Sequence, residues 1–217
     1  MLTQKRREKE KEQRCSLILD AAQALFFSEN YAKITVEEIA EKAQLAKGTL
    51  YTYFKSKEAL YSAVALRGVR IMNEMFRDTA SRHKSGMEKA FAIGEAYYEF
   101  YKRYPHYFHM LVEAENLPCA RSDDINAAEL VKASCESLEI VLNAVVTGIS
   151  DGSIKPDLDP KQASIFLIQS TSAMIMLPPY FELFLRQSGA DKDATIKFTL
   201  QALRRSLENT KKRELEA

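Results

Sequence analysis

Apolar positions recur at spacings of three and four along most of the chain, and no long period-two alternation or Asn-Gly hairpin interrupts them. Ile18, Ala21, Ala22 and Leu25 follow the i, i+3, i+4, i+7 rule and predict a helix over 14–29, with Asn30, which tolerates left-handed backbone, as its stop. In "TVEEIAEKA", Thr35 and Glu38 have the spacing of a capping box, in which hydroxyl and carboxylate each satisfy an orphan backbone N–H. Val36, Ile39, Ala40 and Ala43 give this short second helix one apolar face. Three residues, "QLA", separate it from "KGTLYTYF", where Leu50 and Phe54 lie four apart and Leu45 can plug the gap beneath. Two short helices joined by so tight a turn make a helix-turn-helix. Ser56 then caps a longer segment, "KEALYSAVALRGVRIMNEMF", continuing past residue 76.

The remainder repeats the pattern on a larger scale. Ile93, Tyr97, Phe100 and Tyr104 mark a helix ended by Pro105, and "HYFHMLVEAE" forms a short one before Pro118. Val131, Cys135, Leu138, Leu142, Val145 and Ile149 predict the seam of a long helix. Asp159 and Pro160 cap and start another, which stops at Pro178 and Pro179 after the loop "DGSIKPDLDP". The last helix carries Ile196, Leu200, Leu203 and Leu207 on one face, and Phe198 and Ala202 on a second. The fold class is all-α, with about nine helices. A surface helix needs one apolar strip, so the doubled surface on the last two long helices, about 159–178 and 191–209, predicts a homodimer formed through them.

Composition narrows the function classes. The 217 residues are 46% hydrophobic and 28% charged, enough for one sizeable core or two small ones. Cys15, Cys119 and Cys135 are widely spaced without a ligand pattern, which points to neither a disulfide framework nor a zinc site. No apolar run approaches a membrane span, and the first, "LILDAAQALFF", is broken by Asp20 and Gln23, so a cytoplasmic protein that engages no membrane is expected. Net charge is +1, yet residues 1–70 hold 13 Lys+Arg against 9 Asp+Glu and residues 71–217 hold 18 against 21. The basic excess is densest in "QKRREKEKEQR", a solvated helix extension or flexible arm for which phosphate contact is the secondary reading.

The block "ILDAAQALFFSENYAKITVEEIAEKAQLAKGTLYTYFKSKEALY" resembles the N-terminal DNA-binding domain of TetR/AcrR-type bacterial transcriptional regulators. The likeness rests on the alanine-rich first helix ending in an aromatic before Asn30-Tyr31, the Thr35 cap, "EEIAEKA", and the spacing of "KGTLYTYFKSKEAL". Beyond about residue 65 it extends only to helical layout, size and the "GISDGSIKPDLDP" link. Two positions depart from the pattern. Gln44 stands where the family usually has glycine, so left-handed backbone there carries strain. Ala46 replaces a common serine or threonine and removes a cap worth about 1 kcal/mol.

The resemblance implies a charged arm (1–12), a three-helix DNA-binding domain (13–57, with the helix-turn-helix at about 34–53), and a helical ligand-sensing and dimerisation domain (58–217). It implies a ligand-responsive regulator, by default a repressor, that binds a palindromic double-stranded DNA operator as a dimer and is released by a small apolar or aromatic effector. A helix enters the major groove with its N-terminal end toward the bases, where Lys47, Gly48 and Thr49 are compact enough for close approach. Tyr51 and Thr52 project from the same arc, and Tyr53 resembles the family's aromatic phosphate ligand. Lys57 and Thr35, each at a helix start, are further phosphate candidates.

For the effector, "AYYEFYKRYPHYFHMLVEAE" offers Tyr97, Tyr101, Tyr104, Tyr107, Phe108 and Met110 as apolar lining, with His109 and Glu113 as polar anchors. Aromatic residues at helical spacing equally serve as core. His106, His109 and Glu113 at i, i+3 and i+7 have a metal-ligand spacing that exposed helix residues also share, and Cys119 beside Pro118 has only Arg121 as a basic neighbour; neither is assigned a sensing role. No metal or cofactor is expected. An enzyme of the di-metal bundle type needs Glu-x-x-His pairs, which none of His83, His106 and His109 completes, and no nucleophile elbow or phosphate loop is present. The chain is therefore read as no enzyme. A helical adaptor remains the other reading; it has no need of a capped helix, tight turn and Lys-Gly-Thr start at DNA-docking spacing.

Overall fold

The computed structural model describes residues 2–114 and 124–210 and contains, among them, ten α-helices and no strand longer than a single bridge between Ile154 and Glu208. The helices are α1 (Leu2–Ser28), α2 (Val36–Lys42), α3 (Lys47–Tyr53), α4 (Lys57–Ser81), α5 (Gly86–Arg103), α6 (Pro105–Ala114), α7 (Ile125–Ser150), α8 (Pro160–Ile175), α9 (Pro179–Gln187) and α10 (Lys192–Leu207). They form two compact units, residues 1–70 with 106–133, and residues 71–105 with 134–217. No helix of the described residues is long and apolar enough to cross a membrane.

In the first unit, Ile18, Ala21, Ala22 and Phe26 of α1 turn inward to meet Ile34, Ile39, Leu50 and Phe54, which are also buried. The helix starts well before residue 14, and its residues 4–14 are all exposed. It ends by other means than left-handed backbone at Asn30: the Asn30 side-chain oxygen accepts from the Ala32 N–H at 2.9 Å, a local turn that competes with the helix. Phe26, Tyr31 and Tyr61 pack ring against ring, with centroids 5.0–6.0 Å apart. Tyr61, only 1% exposed, sets its hydroxyl 3.1 Å from Glu113 Oε2. Buried Tyr107 donates to Gln23 Oε1 at 2.7 Å and lies over Gly68, where a Cβ would stand 2.7 Å from the ring.

The second unit is built on α5, α8 and α10 with the residue 134–150 part of α7. Ser85 and Glu88 close a capping box on α5, a Ser-x-x-Glu signal as readable as that of Thr35. Gly86 lies so close to α7 that an added Cβ would be 1.9 Å from the Gly148 nitrogen, and its N–H donates to Asp151 Oδ2 at 2.7 Å. Ile154, fully buried in the loop before α8, joins Met87, Val145, Ala163 and Leu207 in a core cluster.

Three expectations change. The seam predicted for α7 holds only in its second half: Val131, Cys135 and Leu138 are exposed, Val145 is buried with Leu142 and Ile149 half-buried, and Ala133, Ser137, Val141, Ala144 and Gly148 complete the buried face. The small residues permit close packing, and Ser137 donates to buried Asn73 at 2.5 Å. The Pro178–Pro179 pair ends nothing by itself, since α8 stops at Ile175 and Pro179 opens α9 at the position where proline is favoured. This extra helix raises the number from about nine to ten.

Candidate nucleic-acid interface

The turn between α2 and α3 is fixed by backbone hydrogen bonds. Gln44 N–H donates to Glu41 O and Leu45 N–H to Ala40 O, both at 2.9 Å, which is the Schellman pattern. The pattern needs a left-handed residue just past the helix, and Gln44 supplies it at φ 57°. Among the described residues it is the one non-glycine with positive φ. Ala46 then precedes α3 without a side-chain cap. Leu50 and Phe54, 0% and 4% exposed, seat α3 on the core, which turns Lys47, Gly48, Tyr51 and Thr52 outward and leaves Thr49 and Tyr53 half-buried.

Gly48 carries the most information. A Cβ built on it meets no atom within 4 Å, and its φ is not positive. A helical glycine costs up to about 1 kcal/mol relative to alanine, and neither packing nor backbone geometry inside this domain asks for one.

The charged candidates are tied into the domain. Lys47 Nζ is ion-paired with Glu37 of α2 and lies 5.8 Å from the Tyr51 ring centroid. The hydrogen bond from Lys47 holds the Glu37 carboxyl below its ordinary value, and the same bond raises the Lys47 ammonium. Lys57 Nζ donates to Tyr31 O and Ile34 O, each at 2.9 Å, and sits 4.2 Å from the Tyr31 ring centroid. What Lys57 offers an anion is charge at the start of α4 rather than an idle side chain. The Thr35 hydroxyl donates to Glu38 Oε2 at 2.9 Å and accepts from Glu38 N–H at 3.2 Å, and the Thr52 hydroxyl donates back to Thr49 O at 2.7 Å.

The family model "Bacterial regulatory proteins, tetR family" matches residues 18–64, which run from α1 through the helix-turn-helix into α4. Residues 18–64 carry a TetR-family domain. The chain is 28% identical over 167 residues to the uncharacterized HTH-type transcriptional regulator YhgD of Bacillus subtilis, a match covering 75% of the chain and 82% of the relative. It is 23% identical to the HTH-type transcriptional repressor DhaR of a Mycobacterium species, covering 73% of the chain and 79% of the relative. The crystal structure of the transcriptional regulator FadR from Bacillus subtilis in complex with stearoyl-CoA superposes with a TM-score of 0.65 at 21% identity, covering 87% of this chain and 96% of that one; this likeness shows the fold. The chain's class is that of the DNA-binding, helix-turn-helix transcriptional regulators.

The aromatic set expected to line an effector site divides between the units. Tyr97, Tyr101 and Tyr104 fall in the second, whereas Tyr107, Phe108, His109, Met110 and Glu113 fall in the first. Tyr107, Phe108 and Met110 are buried there as core, and His109 and Glu113 are exposed. In the second unit Tyr97 packs edge-on against Phe76, and Lys192 bridges Glu182 Oε1 at 2.6 Å to the Tyr101 hydroxyl at 3.5 Å. An open cavity of 440 Å³ in that unit is lined instead by Arg77, Lys89, Glu136, Glu139, Asn143 and Thr147, among others. His106 stacks on Phe27 with ring centroids 4.9 Å apart, and no metal-binding group of side chains occurs among the described residues. Cys119 and Pro118 lie outside the described residues. Sequence reasoning missed Glu37 and Tyr31, the partners of the two lysines, because those pairings span 10 and 26 residues and leave no local spacing signal.

Proposed function

We propose that the chain is a homodimeric repressor that reads a palindromic operator through α3 and is released by a small effector with an apolar body. DNA reading is placed in residues 13–57, with sensing and dimerisation in 58–217. Gly48 carries the proposal: an exposed helical glycine that the fold does not need serves a surface that must approach the backbone closely, which a major groove does. Around it we assign Lys47, Thr49, Tyr51 and Thr52 to base edges and sugar-phosphate, and Thr35, Tyr53 and Lys57 to phosphates.

Dimerisation is proposed through α8 and α10. These helices pack on each other, and while Ala163, Ile175, Ile196 and Leu200 are buried, Ile165, Phe166, Gln169 and Ala173 on one with Met176 at its end, and Ala194, Phe198, Gln201 and Ala202 on the other, remain exposed. The α8 stripe is uncharged, and the α10 stripe carries Arg205 only at its C-terminal end, which leaves an apolar centre of the kind a four-helix interface requires. For the effector, the likeness to FadR favours an acyl chain or its coenzyme A ester, and an effector acts only through its differential affinity for two conformers.

The experiment is a selection from randomised duplexes at low salt with the purified chain, followed by titration of the selected complex with acyl-CoA esters of graded length. Enrichment of an inverted repeat, and its release by one range of chain lengths, is the expected result. Failure to retain any duplex would restore the adaptor reading, and retention of DNA without release by any ester would remove the acyl effector alone.

A further inference from the structure

We propose that Glu37 is an internal rival of DNA for Lys47, holding down affinity for duplexes that are not the operator; this rests on the DNA-binding reading of α3. The pair joins the first turn of α2 to the first residue of α3, across the turn that the Schellman hydrogen bonds fix. Both side chains are about half exposed, so the pair is held at the surface rather than in the core. Every other ion pair recorded on α1 to α3 involves the first helix alone or ties it to Arg67. Lys47 is thus the one recognition-helix cation, among the described residues, whose charge is already matched when DNA arrives.

A phosphate that recruits Lys47 must either replace the Glu37 carboxylate or accept a cation whose field the carboxylate cancels. On an arbitrary duplex nothing selects the first course, so Lys47 adds little to counterion release. On the operator, a correctly placed guanine edge or phosphate displaces Glu37, and the contact becomes conditional on sequence. Specificity here comes from a repulsive element beside the attractive one. Glu37 is a positioning residue in this scheme, because it acts through Lys47.

The test compares wild type, Glu37→Gln, Lys47→Gln and the double variant on one non-operator duplex over a range of salt concentrations. With Lys47 present, Glu37→Gln should tighten binding and steepen the log–log salt slope by about 0.9, which widens the affinity gap about 3.5-fold between 200 and 50 mM salt. In the Lys47→Gln background the same change should leave the slope alone. An equal effect in both backgrounds would show general repulsion by Glu37 and overturn the inference, as would no effect in either. Absence of binding by all four proteins at the lowest salt, with folding verified by thermal melting, would instead refute the DNA-binding reading itself.

Discussion

Gly48→Ala separates the needs of the fold from those of the interface. The structure leaves open space around the new methyl, so no clash opposes it, and alanine gains helix propensity over glycine. The full difference is up to about 1 kcal/mol in a helix interior; at the second position of a seven-residue helix about half of that is expected. For a chain of this size that raises Tm by about 1–2 °C. Against DNA the sign reverses. A methyl at the point of closest approach lifts the start of α3 off the groove floor and breaks or lengthens base contacts, each worth about 1–3 kcal/mol of discrimination. Operator affinity should fall at least tenfold while melting temperature rises. Differential scanning fluorimetry and fluorescence anisotropy on the selected duplex read the two effects from one preparation. A variant that is more stable and binds with undiminished affinity would remove Gly48 from the interface, and a destabilised one would contradict the open space around it.

Gln44→Gly should stabilise the chain by about 0.5–1 kcal/mol in denaturant unfolding, because relief of left-handed strain exceeds the added entropy of the unfolded glycine; a loss of stability would mean that the glutamine side chain holds the turn. Gly86→Ala should destabilise by about 3 kcal/mol, since its methyl would meet the Gly148 backbone, and a melting temperature equal to wild type would refute that packing. Ser62→Ala should stabilise by about 1 kcal/mol, because the fully buried Ser62 hydroxyl has no hydrogen-bond partner among the described residues. Hydrogen bonds from the Thr35 backbone and hydroxyl lower the Glu38 carboxyl, and those from the Ser85 hydroxyl and backbone lower Glu88. The stability these groups contribute is present above their ordinary value of 4.5 and is lost as pH falls through the lowered folded values. Replacing both by glutamine should therefore flatten the acid limb of a Tm-versus-pH curve, and an unchanged limb would exclude them as its source.

What was legible in the sequence is what short-range chemistry decides. The Thr35–Glu38 box, the Leu50 and Phe54 anchors and the uncapped Ala46 each depend on neighbours three or four positions away. Gln44 was legible as strain through the resemblance, which places glycine at that position, and the Schellman hydrogen bonds supply the physical reason. The first half of the α7 seam was misread because that helix offers two sets of apolar positions, and there its small residues won the buried face through close packing and the Asn73–Ser137 hydrogen bond. Pro178–Pro179 reads as a stop in the sequence, whereas α8 has already ended at Ile175 and Pro179 starts α9. The division of the aromatic set at Pro105 between helices of different units was not legible, because the helical spacing of its rings runs through that boundary unmarked. Glu37 and Tyr31 were invisible for the reason that makes them useful: they meet their lysines only after the chain has folded.

The Lys57 ammonium on the Tyr31 and Ile34 carbonyls bears on the order in which the reading head is made. Those acceptors lie 26 and 23 residues before it, so the bend between α1 and α2 is closed by a residue synthesised after the whole recognition helix. A nascent chain emerging from the ribosome can form α1 and the capped α2 locally. It cannot lock the angle between them until the first turn of α4 is outside the exit tunnel. A fragment ending at Tyr53 would contain every residue that we assign to base edges and still lack the cation that holds the bend, which makes α4 part of the smallest stretch that can present α3 correctly.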